Sequence, residues 1–332
     1  MTAAARGEEP QLESSSIRAR LARAMRSDTW AVGLIGLFLV LLVFTKLIRP
    51  TYGLDALAIA ALPVAFAAAG QAIAVISGGI DLSIGSVVAL TNVTAAVLLA
   101  DAGTEMSVLI VLLVLVIGLL IGAVNGLLVV VSRVPDIVVT LSMLFVWAGV
   151  ALLILGTPGG GSAPWLRELV TGNFGGFVPR ALIVLLVLIG IVWIPIRRSR
   201  LGLSIYATGS NQLAAFRSGV DVRRTKVVAY ALTGFFAALG GLSLTASTGI
   251  GTPIPGPYLL LSVAAIVLGG VSLAGGRGGL LGPIVGIYIL GLIRADLSFI
   301  GVEPAYSTVT QGVIMVAVVM LGAYLTLRRR TA

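Results

Sequence analysis

The sequence predicts an all-α, polytopic integral membrane protein with about ten transmembrane helices and both termini cytoplasmic. Three observations carry that class. Of 332 residues, 58% are apolar and only 11% charged, against about 25% charged in an ordinary soluble domain. The apolar residues lie in long continuous runs rather than in a period-two alternation, which selects helices over a membrane barrel. The basic residues fall mainly in alternate connections, the pattern set by the positive-inside rule. Forty-two glycines fit close packing between many membrane helices.

The charges mark the spans. A crossing needs about 20 apolar residues. The uncharged stretch 227–276 is too long for one helix and contains Thr252-Pro253-Ile254-Pro255-Gly256-Pro257, which cannot stay helical. A second break falls at Gly156-Thr157-Pro158-Gly159-Gly160-Gly161. The expected spans are about 29–48, 55–77, 82–100, 107–131, 136–155, 180–197, 226–247, 258–274, 279–296 and 306–326. With this count both termini share one side, and that side holds 17 of the 22 basic residues. The asymmetry makes it the cytoplasmic side. The net charge of +9 therefore points to topology and to contact with anionic lipid headgroups rather than to nucleic acid.

Residues 1–28 form a polar cytoplasmic tail in which 17–26 could make a basic interfacial helix. The transmembrane body spans 29–327, and 328–332 is a basic cytoplasmic tail. No signal peptide is evident, so the first span is expected to remain as an anchor. Within the body, 156–179 is expected as an extracytoplasmic loop and 198–225 as the principal cytoplasmic one.

Much chemistry is excluded. There is no cysteine and no histidine, which removes thiolate and imidazole metal sites and Ser-His-Asp triads. Neither lysine follows a G-x-x-x-x-G-K-[ST] loop, so the chain itself should not hydrolyse nucleotide. No cofactor is expected on it. Gly275-Gly276-Arg277-Gly278-Gly279 reads as a tight turn. Asp81 is placed as an N-cap of the third span, accepting from the amide of Ile84, with a role in the pathway or gate as the alternative. Asp136, after Pro135 and three residues from Arg133, is expected to start a helix and form a local ion pair. Gln71, Ser83, Asn92, Asn125 and Thr140 are the remaining candidates for a pathway or gate. Amides and hydroxyls inside spans need partners. They either bond between helices or line a route for a polar, uncharged solute.

Four collinear segments carry a resemblance. They are Gly78-Gly79-Ile80-Asp81-Leu82-Ser83-Ile84-Gly85-Ser86, Val134-Pro135-Asp136-Ile137-Val138-Val139-Thr140-Leu141, the run from Arg200-Leu201-Gly202 through Ala207 to Val220, and Gly269 to Gly278. Together they resemble the permease subunits of sugar ABC importers of the ribose/xylose/autoinducer-2 type. The second segment departs from the family's "VPxFIVTLG" at Asp136 and at Ser142, where glycine is usual. The resemblance spans most of 30–327. It implies an inner-membrane permease in bacteria that pairs with a second copy or a paralogue. It also implies a cytoplasmic ABC ATPase, which holds ATP and Mg, and an extracytoplasmic solute-binding protein as partners. Pentoses, hexoses, polyols and autoinducer-2 all remain open as solutes. An ion-coupled secondary transporter is the alternative, though no coupling acid is evident.

The ATPase-coupling element is expected in the cytoplasmic loop. Asn211 is a plausible N-cap, Gln212–Ser218 two short helical turns, and Gly219 the terminating residue. Leu213 and Phe216 would offer an apolar face, Ala214 and Ala215 would keep the helix slim, and Arg217 would give a charged rim contact. Gly202 and Gly209 belong to the same segment. Ile76–Ser83 and Leu268–Leu273 also echo one another weakly, which could mark a duplicated unit.

Overall fold

The computed structural model describes residues 29–176, 178–303, 305–310, 312–313, 316–317 and 320. Both tails, and with them the expected interfacial helix at 17–26, lie outside the described residues.

The described chain is predominantly helical, in the order α1 (Thr29–Ile48), α2 (Leu54–Ile76), α3 (Ile84–Leu99), α4 (Thr104–Ser132), α5 (Asp136–Ile154), α6 (Pro164–Thr171), α7 (Arg180–Arg198), α8 (Arg200–Ser210), α9 (Gln212–Arg217), α10 (Val222–Thr248), α11 (Tyr258–Leu268) and α12 (Leu281–Phe299). Residues 305–310 are helical again. Strands β1 (Asn173–Phe174) and β2 (Val178–Pro179) make one short antiparallel pair, Asn173 opposite Pro179. Six described helices, α2, α4, α5, α7, α10 and α12, are long and apolar enough to cross a membrane.

Helix α2 is the axis of the molecule. Every residue from Ala61 to Ser77 is buried, as befits a helix that is apolar all round. It packs on α10, α12, α11 and α7. Helix α10 is the second buried element and lies against α2, α3 and α4. Its approach to α4 is antiparallel and depends on glycine. Gly118 faces Gly234 and Ala238, while Gly126 faces Val227 and Tyr230. A side chain at Gly122 would collide with the Tyr230 carbonyl. Small residues four apart let two membrane helices touch backbone to backbone.

Two expected spans are shorter than anticipated. Helix α3 has 16 residues and α11 only 11, roughly 24 and 17 Å at 1.5 Å per residue. The expected span 258–274 stops at Leu268 because Gly270 adopts a left-handed φ of 76°. The Val271 amide then bonds back to the Ile266 carbonyl, closing the helix in a Schellman motif. Helix α2 ends identically: Gly78 has φ 81° and the Gly79 amide bonds to the Ala74 carbonyl. The two echoing sequence segments thus share one stop geometry. The expected loop 156–179 also proves more ordered than its glycines and prolines suggest, because Pro164 starts α6 and Trp165 donates to the Ser107 hydroxyl at 2.7 Å.

The non-helical backbone after α2 and α11 is tied together by hydrogen bonds and close glycine contacts. Gly78, Gly209 and Gly275 converge, and the Gly276 amide donates to the Ile76 carbonyl at 3.0 Å. Tyr206 donates to the Gly278 carbonyl at 2.8 Å. This glycine junction ties α8 to the ends of α2 and α11. At the other end of the bundle, Gly159 and Gly251 pair backbone to backbone and Gly161 donates to Ala96.

Candidate functional site

Two assemblies flank the glycine junction. The first is a network of buried polar groups around loop 77–83. Asp81 Oδ1 accepts from the Ser83 amide (2.9 Å) and from the Ser83 hydroxyl (2.5 Å). The Ser83 oxygen accepts from Asn125 Nδ2 at 2.8 Å, and Asn125 Oδ1 accepts from Trp147 Nε1 at 3.0 Å. The Thr140 hydroxyl accepts from the Leu82 amide at 3.1 Å. One polar chain therefore links the loop to α4 and α5.

Asp81 is not the cap the sequence suggested. Helix α3 starts at Ile84 behind Ser83, with no side-chain cap bond. The carboxylate instead closes a two-residue turn onto Ser83, because Ser83 keeps a helical backbone and carries the amide nearest to Asp81. Its second oxygen has no partner among the described residues.

Asp136 begins α5 as expected, but its ionic partner is not Arg133. Lys226 of α10 reaches both carboxylate oxygens, at 3.1 and 2.9 Å. Tyr230, one turn further along α10, donates to Oδ2 at 3.0 Å and lies 3.4 Å from the Ile80 carbonyl. Arg133 takes a left-handed backbone, φ 57°, that turns it out into solvent. The Lys226 and Asp136 side chains are only 11% and 16% exposed. This pair joins the first turn of α5 to the first turns of α10 and to the loop that carries Asp81.

Of the candidate pathway residues, Asp81, Ser83, Asn125 and Thr140 are brought together here and are all buried. Asn92 is not among them. It sits toward the opposite end, where it donates to Thr245 (2.8 Å) and accepts from the Thr252 amide (2.7 Å), fixing the turn after α10. Gln71 is fully buried in α2, and its amide has no partner among the described residues. Lys226, Tyr230 and Trp147 were not anticipated. Lys226 is one of two lysines in the chain, but at the foot of a span it reads as an ordinary topology charge.

The second assembly is the segment from Ser199 to Asp221. Asn211 Oδ1 accepts from the Ala214 amide at 3.0 Å and caps α9 as anticipated. Gly219, φ 85°, ends it, with Val220 bonding back to Ala215. Leu213 and Phe216 are 58% and 68% exposed. Asn211, Ala214, Arg217, Ser218 and Gly219 are exposed as well. Ala215 departs from expectation. At about 100° per residue it turns inward and is 5% exposed, so its small size serves the chain's own packing. Gly202 and Gly209 are likewise buried, against Ile196 and Arg197 and against Ile76 and Gly276.

A bundle of buried apolar helices, six of the described ones long and apolar enough to cross a membrane, knitted by polar junctions, is the architecture of a polytopic membrane protein. Residues 53–319 match the family described as "Branched-chain amino acid transport system / permease component", and the chain belongs to it. It is a permease component rather than an enzyme. The ribose import permease RbsC of Escherichia coli K12 is 35% identical over 264 residues, covering 77% of this chain and 81% of the relative. RbsC of Bacillus subtilis 168 is 33% identical over 256 residues, covering 76% and 79%. The autoinducer 2 import permease LsrD of Escherichia coli O9:H4 is 29% identical over 264 residues, covering 77% and 79%. No solved structure matches the chain.

Proposed function

We propose that this chain is the translocation subunit of an ATP-binding-cassette importer in a bacterial inner membrane, moving a sugar or similar small polar solute. It works with a cytoplasmic ATPase that binds ATP and Mg, an extracytoplasmic binding protein, and a second permease copy or paralogue. The observation that carries this is α9. It is a two-turn helix after α8, capped at both ends, that turns Leu213 and Phe216 outward. Exposed apolar side chains in such a place mark a contact surface, and a short helix seated in a partner's groove is an established recognition mode. The basic residues of 197–226 put α9 on the cytoplasmic side under the ten-span topology, with both termini there.

Transmission runs from α9 through Asp221 to the first turns of α10. There Lys226 and Tyr230 grip Asp136 of α5 and the loop of Asp81. A push on α9 would tilt α10 and α5 together, giving the alternating access such a subunit needs. The solute class follows from RbsC and LsrD and from the chemistry of the interior. The buried polar set of the spans is dominated by amides and hydroxyls, which suit a polyhydroxyl solute better than a zwitterionic amino acid.

Single cysteines at Asn173 and Ser210, in this naturally cysteine-free chain, test the sidedness. Asn173 should label from outside and Ser210 only after permeabilisation. The reverse pattern overturns the arrangement.

A further inference from the structure

The two short helices α3 and α11 start against one another. A Cβ placed on Gly85, in the first turn of α3, would lie 3.5 Å from the Leu259 amide in the first turn of α11. From this joint they run to opposite ends of the bundle. Helix α3 leads to Ala96, whose carbonyl accepts from Gly161 beside the Gly159–Gly251 pair. Helix α11 leads to the glycine junction, where the Gly276 amide bonds to Ile76.

Neither start is capped by a side chain. Among the described residues, the amides of Ile84, Gly85 and Ser86 in α3 and of Leu259 in α11 meet no acceptor. Asp81 Oδ1 serves the Ser83 amide and hydroxyl instead. Ile84, Gly85 and Ser86 are buried, where an unpaired N–H is costly. An independent observation points to the same place. Gln71 is 0% exposed, and neither its amide nitrogen nor its oxygen has a partner among the described residues. Ala67, one turn earlier on the same face of α2, packs with Ile84 and Val87 of α3, with Tyr258 and Leu259 of α11 against them. Gly70, beside Gln71, faces Ile84 and the Thr233 carbonyl of α10. Gln71 thus stands on the strip of α2 that faces the joint.

We infer that this joint, with Gln71, is a subsite inside the membrane for a neutral polyhydroxyl solute, its oxygens accepting from the free amides when the two helix ends part. The inference deepens the proposed function and rests on its solute class. Helix starts aimed into a protein interior present donors without a full charge, and Gln71 adds both a donor and an acceptor. The packing lets the ends separate. Helix α3 packs chiefly on α10, α5 and α4, whereas α11 packs on α12 and α2. A tilt of α10 and α5 would carry α3 along and leave α11 behind, opening the joint once per transport cycle.

Two measurements test this. In the isolated chain, Gln71→Leu removes an amide that the resting fold leaves unpaired, so its melting point should be no lower than wild type's. A clear drop would mean that Gln71 is satisfied within the fold and would overturn the subsite. The second uses Gln71→Cys in this cysteine-free chain, assembled with its ATPase and binding protein in nanodiscs. Neutral methyl methanethiosulfonate should label the thiol during ATP turnover and barely at all without ATP. A saturating mixture of D-ribose, D-glucose and myo-inositol should slow that labelling several-fold. Gly85→Cys, at a position where a Cβ has ordinary contact distances, carries the same test if Gln71→Cys fails to assemble. No labelling during turnover, or labelling that the sugars do not slow, overturns the subsite. Sugar-protected labelling that needs an ion gradient and ignores ATP would refute the ATP-driven importer while leaving the subsite in place.

Discussion

The Lys226–Asp136 pair offers the sharpest energetic prediction. Both side chains are largely withdrawn from water, and Tyr230 Oη completes the carboxylate's shell at 3.0 Å. An exposed ion pair is worth about 0–1 kcal/mol. Removing one partner of a buried pair costs roughly 3–5 kcal/mol, because the remaining charge is left without compensation. The 11% and 16% exposures admit some water, so the lower end, about 3 kcal/mol, is expected for Lys226→Met or for Asp136→Leu. The double variant Asp136→Leu/Lys226→Met leaves no orphan charge and should stand within about 1 kcal/mol of wild type. Thermal unfolding in one detergent, followed by tryptophan fluorescence, reads this directly. Each single variant should melt roughly 4 °C lower, and the double should recover most of the loss. Moderate salt should change little, because a buried pair is weakly screened. Two singles that shift the midpoint by under about 1 °C, or a double whose loss equals the sum of the singles, would show that the pair is not coupled and refute the reasoning.

Other sites give independent checks. Asn125→Leu breaks the chain from Trp147 to Ser83 and should cost about 1–3 kcal/mol by leaving buried partners unmet; a melting point equal to wild type contradicts the network. Gly122→Leu drives a side chain into the Tyr230 carbonyl, where overpacking costs about 1–3 kcal/mol or more, and should reduce monodisperse yield sharply while Gly149→Leu, in open space, does not. Phe216→Asp should abolish co-purification of the partner ATPase without lowering the permease's own melting point, whereas Ala215→Glu should lower that melting point because it buries an unpaired carboxylate. Equal effects of the last two would mean that α9 has no outward docking face.

The class of protein was legible because a membrane imposes its own arithmetic on the chain. Charges are scarce and their positions delimit the spans, so Thr29–Ile48 and Arg180–Arg198 match expectation closely. Local stop and start signals were legible too, since they need only neighbouring residues. The Asn211 cap and the Gly219 stop of α9 are of this kind. Long-range geometry was not. Asp136 and Lys226 lie 90 residues apart, and nothing in either segment names the other, so the nearer Arg133 looked the better partner. Asp81 was taken for the N-cap because the helix was expected two residues too early; Ser83, not Asp81, sits at that boundary with a helical backbone. Ala215 shows a subtler limit. Four adjacent apolar residues look like one patch in a line of text, but helical rotation sends Leu213 and Phe216 outward and Ala215 inward. The span 258–274 was overextended because Val271, Leu273 and Ala274 are apolar, and only the left-handed Gly270 decides that the helix has already ended.

The most direct test of the account is uptake into proteoliposomes. The chain is reconstituted with its ATPase and binding protein, with ATP inside or outside, and with or without a proton or sodium gradient. Solute accumulation that requires ATP on the ATPase side, fails with Phe216→Asp and ignores the ion gradients is the predicted result. Accumulation by the permease alone, driven by an ion gradient and indifferent to ATP, would contradict the account and assign the chain to secondary transport.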